Sequence, residues 1–151
     1  WSAVTDAFTL KEFNWIIHSI KKLLRVWAIL IVLTIIMAIF ANPIYKLWIG
    51  DTILVPTSLS ISMGIFVVVF TFANIFIYVI NGIGKIRLQL IISIIQMVIS
   101  IPLILFFSRY LNYGLSGVIN GITVTLLLPS VIMPIQVKKI LNNNATGIWN
   151  K

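Results

Sequence analysis

Glutamine, asparagine, serine and threonine recur at helical intervals inside otherwise apolar stretches, and they are the groups with chemistry to offer. Gln89, Ser93, Gln96 and Ser100 follow one another along one helical face. Thr71, Asn74, Tyr78 and Asn81 do the same, as do Ser116, Asn120 and Thr123. Such stripes hydrogen-bond neighbouring helices, at about 0.6 kcal/mol each, or line a hydrophilic wall that tolerates a hydroxyl-rich cargo. The substrate-path candidates are Thr71, Asn74, Gln96, Ser100 and Asn120. Gln96 and Asn74 lead them, because each carries a two-sided amide and is expected well inside the bilayer.

No Asp, Glu, Lys, Arg or His lies in the core of these apolar stretches. Proton relays, intramembrane acid–base catalysis and ion binding therefore lack their usual carriers. The single histidine, His18, falls on the polar face of a basic helix and reads as solvated. Gly82-Ile83-Gly84 is too short for a phosphate loop and reads as a turn. Cysteine is absent, which removes disulfides and thiolate metal sites. No catalytic residue, metal or cofactor is expected, and the chain reads as a transporter part rather than an enzyme.

The elements that carry the stripes follow from composition. Hydrophobic residues make up 60% of the 151 and charged residues 9%, far fewer charges than the roughly one quarter of a soluble domain. The net charge of +8 arises from cations gathered at the ends of apolar runs, without the stripe and interleaved aromatics of a nucleic-acid surface. The polar stretch Asn81-Gly82-Ile83-Gly84-Lys85-Ile86-Arg87 joins two long apolar runs as a tight basic turn. Four transmembrane helices are predicted, over about 24–41, 56–80, 88–108 and 114–137, within a bundle spanning 26–138.

Asn42-Pro43 is expected to stop the first span, ahead of an interfacial loop carrying Tyr45, Lys46, Trp48 and Asp51. Pro56 opens the second span, Pro102 bends the third, and Pro129 and Pro134 bend the fourth by freeing the carbonyls of Thr125 and Ser130. Gly117 and Gly121 form a small-xxx-small contact motif.

Residues 1–8 read as the end of a preceding segment. From Thr9, with Glu12 as the other half of a capping box, an interfacial amphipathic helix is expected over 9–25. Its apolar face is Phe13, Ile16, Ile17, Ile20, Leu24 and Trp27; its basic face is drawn to anionic membrane lipid. Residues 139–151 form a polar tail, expected to be mobile. Lys21, Lys22, Arg25, Lys85, Arg87, Lys138 and Lys139 set the topology. With Lys11 and Lys151 they lie on one side, and only Lys46 and Arg109 lie on the other. The positive-inside rule puts both termini in the cytoplasm. The opening Trp1, in place of a Met, reads as part of a longer chain.

Several stretches together resemble one family. Trp1-Ser2-Ala3-Val4-Thr5-Asp6-Ala7 precedes the amphipathic helix; Leu47-Trp48-Ile49-Gly50-Asp51 is followed by Pro56; Asn81-Gly82-Ile83-Gly84-Lys85 is followed by Gln89; and Gly114-Leu115-Ser116-Gly117 opens the last span. In this order they resemble the bacterial oligosaccharide and O-antigen flippases of the multidrug/oligosaccharidyl-lipid/polysaccharide exporter superfamily. The resemblance implies an all-α, two-lobed flippase fold of a dozen or more helices, of which this chain is the last four. It implies alternating access, a lipid-linked oligosaccharide as cargo, the bacterial inner membrane as location, and polysaccharide-assembly proteins as partners. The family's cationic cavity residues have no counterpart in these spans. Two alternatives stand beside it: a drug or lipid-precursor exporter of the same superfamily, and a small four-helix interaction subunit with Gly117 and Gly121 as its contact surface.

Overall fold

A computed structural model describes residues 2–50 and 55–151. Among them every regular element is helical: α1 (Ser2–Thr9), α2 (Phe13–Ile49), α3 (Thr57–Ile83), α4 (Arg87–Leu105), a π-helical turn at Phe106–Tyr110, α5 (Gly114–Leu141) and a 3₁₀ turn at Gly147–Asn150. Four of these stretches are long and apolar enough to cross a membrane: α2, α3, α4 with its π turn, and α5. The chain is a multi-pass membrane protein by that measure. Side by side the long helices run α2, α3, α5, α4, with α1 laid against α3 and α2.

The amphipathic segment and the first span are one helix. The break expected around residue 25 is absent, and so is the stop at Asn42-Pro43, because Pro43 lies inside α2. Proline removes only the bond to the Ile39 carbonyl, whereas an irregular backbone in lipid would leave several groups unpaired. Tyr45, Lys46 and Trp48 thus sit on the last turns of a helix and not in a loop; Asp51 lies outside the described residues.

The capping box does not form. Thr9 Oγ1 donates to the Thr5 carbonyl at 2.6 Å, and the Glu12 side chain makes no cap bond. Instead α1 closes on itself: Glu12 N–H reaches the Ala7 carbonyl at 2.8 Å and Lys11 N–H the Phe8 carbonyl at 3.1 Å. Lys11 takes the left-handed conformation (φ 60°) that such a closure requires.

Asn143 repeats the device at the end of α5. Asn144 N–H bonds the Lys139 carbonyl, Asn143 N–H bonds the Ile140 carbonyl, and Asn143 has φ 57°. The asparagine run is therefore a helix stop that turns the chain back. The tail expected to be mobile is docked: Trp149 is half-buried against the main apolar cluster, and Arg87 N–H bonds the Lys151 carbonyl at 3.2 Å. The tight basic turn is also shorter than expected. Asn81 and Gly82 belong to α3, and the reversal rests on Gly84 (φ 80°), whose N–H closes onto the Ile80 carbonyl.

Burial divides the molecule lengthwise. The apolar cluster sits where α1, the start of α2, the end of α3, the start of α4 and the end of α5 meet: Ala7, Ile16, Ile20, Phe76, Ile80 and Met133 are among its members. Beyond it the helices expose large aliphatic side chains, including Val26 to Phe40 on α2 and Leu90 to Leu105 on α4. Arg25 and Lys46 bracket this belt on α2 and are 21 residues apart. That is about 31 Å of helix, matching the ~30 Å hydrocarbon core of a bilayer. The apolar face of the amphipathic segment packs on the cluster and not on headgroups, while Lys11, Asn14, His18, Lys21, Lys22 and Arg25 stay exposed.

Candidate functional site

Thr71, Asn74 and Tyr78 sit on one side of α3 and line an open groove of about 410 Å³, completed by Val4 of α1 and by Leu23 of α2. The stripe does not point into the four-helix bundle. The opposite side of α3, with Ala73, Phe76 and Ile80, is the buried one, so the polar side is left on the bundle surface. Thr71 Oγ1 bonds the Val67 carbonyl at 2.6 Å and Asn74 Nδ2 the Phe70 carbonyl at 2.8 Å. The Thr71 hydroxyl proton and one Asn74 N–H are thus spent on their own helix, and the second Asn74 N–H and its carbonyl oxygen are offered to the groove.

The depth of Asn74 also differs from expectation. Leu23, flanked by Lys22 and Leu24, lines the same groove. Asn74 therefore lies at the basic edge of the aliphatic belt and not well inside it.

Gln96 does lie midway along the belt, but it serves a neighbour. Its Nε2 donates to the Thr125 carbonyl at 3.1 Å. Pro129, four residues on, cannot donate to that carbonyl, and Gln96 supplies the missing hydrogen. The surrounding cavity, about 420 Å³ between α4 and α5, is walled by aliphatic side chains such as Ile95, Ile99, Leu127 and Val131. Ser100 Oγ bonds the Met97 carbonyl of its own helix at 2.9 Å. Asn120 is half-buried on α5, one turn from Ser116, whose hydroxyl lies 3.1 Å from that of Ser58 on α3. The five path candidates are therefore not brought together: two share the α3 groove, and three sit on the α4 and α5 side.

Gly117 and Gly121 are contact positions within the chain. A Cβ on Gly117 would meet the Phe107 carbonyl oxygen at 2.5 Å, and one on Gly121 would meet Ile104 Cα at 2.8 Å. The widened turn at Phe106–Tyr110 brings its backbone onto α5, and only glycine admits it. This motif is consumed internally and cannot serve as the outer surface of an interaction subunit.

The cations expected to set the topology gather at one end, as the up-and-down order of the helices requires. Lys21, Lys22 and Arg25 are exposed on α2. Lys85 donates to Asn150 Oδ1, Arg87 is exposed, Lys138 is exposed on the last turns of α5, and the Lys139 ammonium lies 4.0 Å from the Trp149 ring centre.

Two residues that the stripes did not single out organise this end. Gln136 is 0% exposed, and its Nε2 donates to the Lys85 carbonyl at 3.1 Å and the Trp149 carbonyl at 3.4 Å. The signal was present in a lone amide among Ile135, Val137 and Pro134, one turn before the span's basic end. Trp149 gave none, since a tryptophan in a polar tail has no periodic context.

Among the described residues no three His, Cys, Asp or Glu side chains group as metal ligands do. Comparison with protein-family models, curated proteins and solved structures finds no match for this chain.

Proposed function

We propose that the chain forms part of a flippase that carries a lipid-linked oligosaccharide across the bacterial inner membrane by alternating access, with its basic end and both termini in the cytoplasm. The observation that carries this reading is the α3 groove. A strip of uncharged polar side chains, Thr71, Asn74 and Tyr78, runs through an otherwise apolar groove open at the surface of the bundle, where lipid would leave the Asn74 carbonyl oxygen and the Tyr78 hydroxyl without partners. It sits at the junction between exposed lysines and an exposed aliphatic belt. A cargo with a hydroxyl-rich head, an anionic link and a long hydrocarbon tail has one part suited to each of these three surfaces.

A second lobe facing the groove would complete the cavity, as the family resemblance implies. The hydrogen-bonding strip favours a hydroxyl-rich head over an apolar drug, and the interaction subunit gives no reason for it. The internal use of Gly117 and Gly121 further weakens the subunit reading.

The test is made in a bacterium whose surface polysaccharide depends on the gene. Thr71→Val with Asn74→Leu leaves Tyr78 as the only polar side chain lining the groove, without touching the buried side of α3. Export is expected to fall about tenfold, equivalent to roughly 1.4 kcal/mol, while the lipid-linked intermediate accumulates on the cytoplasmic face. Unchanged export with normal protein levels would overturn the proposal.

A further inference from the structure

A second recess, independent of any cargo, lies at the basic end. It encloses about 270 Å³ and is lined by Phe8, Lys85, Ile140, Asn143, Ala145 and Asn150. Its polar side chains are one cation and two carboxamides, with no carboxylate among them. Lys85 is half-buried and uses one N–H on Asn150 Oδ1, which leaves its other two. The same bond holds the Asn150 carboxamide with its Nδ2 hydrogens unspent. Asn143 brings a second carboxamide, fixed where it closes α5 in the left-handed conformation.

The cations nearest in the chain are Arg87, two residues from Lys85, and Lys138 and Lys139 on the last turns of α5. The two acidic side chains among the described residues, Asp6 and Glu12, belong to α1 and its exit, and no acidic side chain lines the recess.

Its depth selects the occupant. Ile86, beside Lys85, is 49% exposed, and the aliphatic belt on α4 begins at Leu90, 61% exposed and little more than one turn further on. Lys85 is therefore held just outside the hydrocarbon, at the level of lipid phosphates.

We infer that this recess is a phosphate site in which Lys85, Asn143 and Asn150 hold a phosphate group at the headgroup level of the cytoplasmic leaflet. Anionic phospholipid is the abundant source at that depth, and soluble phosphate presents the same oxygens. The site recruits no group from the α3 groove, so it stands whether or not the chain carries oligosaccharide.

The experiment uses the full chain in neutral detergent, with lipid binding followed by native mass spectrometry and by the shift in thermal midpoint. Phosphatidylglycerol is expected to bind and raise the midpoint, and phosphatidylcholine of the same chain length is not. Lys85→Gln is expected to weaken the apparent affinity about fivefold, the effect of one cation near the membrane surface. Because Lys85 also holds the tail, Asn143→Asp provides the second variant. An aspartate accepts the left-handed backbone and adds a negative charge to the recess, and a similar loss is expected. Arg109→Gln, at the far end, leaves binding unchanged. Competition by inorganic phosphate would assign the site to phosphate from either source; no competition would assign it to the lipid. Phosphatidylglycerol binding that is unaltered in both recess variants, or equal binding of phosphatidylcholine, would overturn the inference.

Discussion

Gln136 and Gln96 are both amides on apolar helices, yet they hold different things. Gln136 ties two backbone carbonyls of the basic end together, one in the α3–α4 turn and one in the tail. Replacing it with leucine removes the donor from both while keeping the volume. Gln136→Leu is expected to lower stability by about 1–3 kcal/mol, and limited proteolysis should then cut after Asn142. A tail that stays protected would contradict this assignment. Gln96 repairs the carbonyl that Pro129 leaves open, so the two residues should couple. Gln96→Leu is expected to cost roughly 0.6–1.7 kcal/mol, and much less in a Pro129→Ala background, where residue 129 can donate to Thr125 itself. A double-mutant cycle in detergent checks the sign. The periodicity of Gln89, Ser93, Gln96 and Ser100 was legible, but a stripe does not say which neighbour it meets. That depends on the rotation of α4 against α5, which only packing decides.

Among the elements, Pro43 was the misleading signal, and Gly117 and Gly121 were the informative ones. Asn42-Pro43 reads as a stop in water, where the freed carbonyl of Ile39 finds solvent. In a helix clad by lipid the chain keeps its remaining bonds, and α2 runs on to Ile49. The close approach of α5 to the π turn makes a graded prediction. Gly117→Ala drives a methyl into the Phe107 backbone and should lower stability by about 1–3 kcal/mol. Gly64 meets only the Thr34 methyl, at 3.0 Å. There the helix propensity gained by alanine, up to ~1 kcal/mol, offsets much of the crowding. Equal midpoints for the two variants in thermal unfolding would show that α5 and the π turn are not in contact. The end of α5 was misread for a definite reason: asparagine is common both in disordered tails and in left-handed helix stops, and Asn142-Asn143-Asn144 does not distinguish them by composition.

For the whole molecule, the number of spans and the gathering of cations at one end were legible because both follow from hydropathy and the order of the helices. The sequence of neighbours α2, α3, α5, α4 was not, and neither was the division into a packed basic end and an exposed aliphatic belt. Both depend on contacts between residues far apart in the chain. Of the path candidates, Thr71 and Asn74 share a groove, and the sequence showed their common face without showing that it opens outward. The proposed orientation predicts that a cysteine at Lys85 reacts with an impermeant thiol reagent only from the cytoplasmic side and one at Arg109 only from the opposite side.

The most direct measurement concerns the polar face of α3. The chain has no cysteine, so single cysteines can be placed at Asn74 in the groove and at Ile36 on the aliphatic belt, and exposed to a membrane-impermeant maleimide in inverted membrane vesicles. The account predicts that Asn74→Cys is labelled and that lipid-linked oligosaccharide slows the reaction, while Ile36→Cys stays unlabelled. Asn74→Cys as unreactive as Ile36→Cys would mean that lipid or protein seals the groove, and would contradict its role as the wall of a transport path.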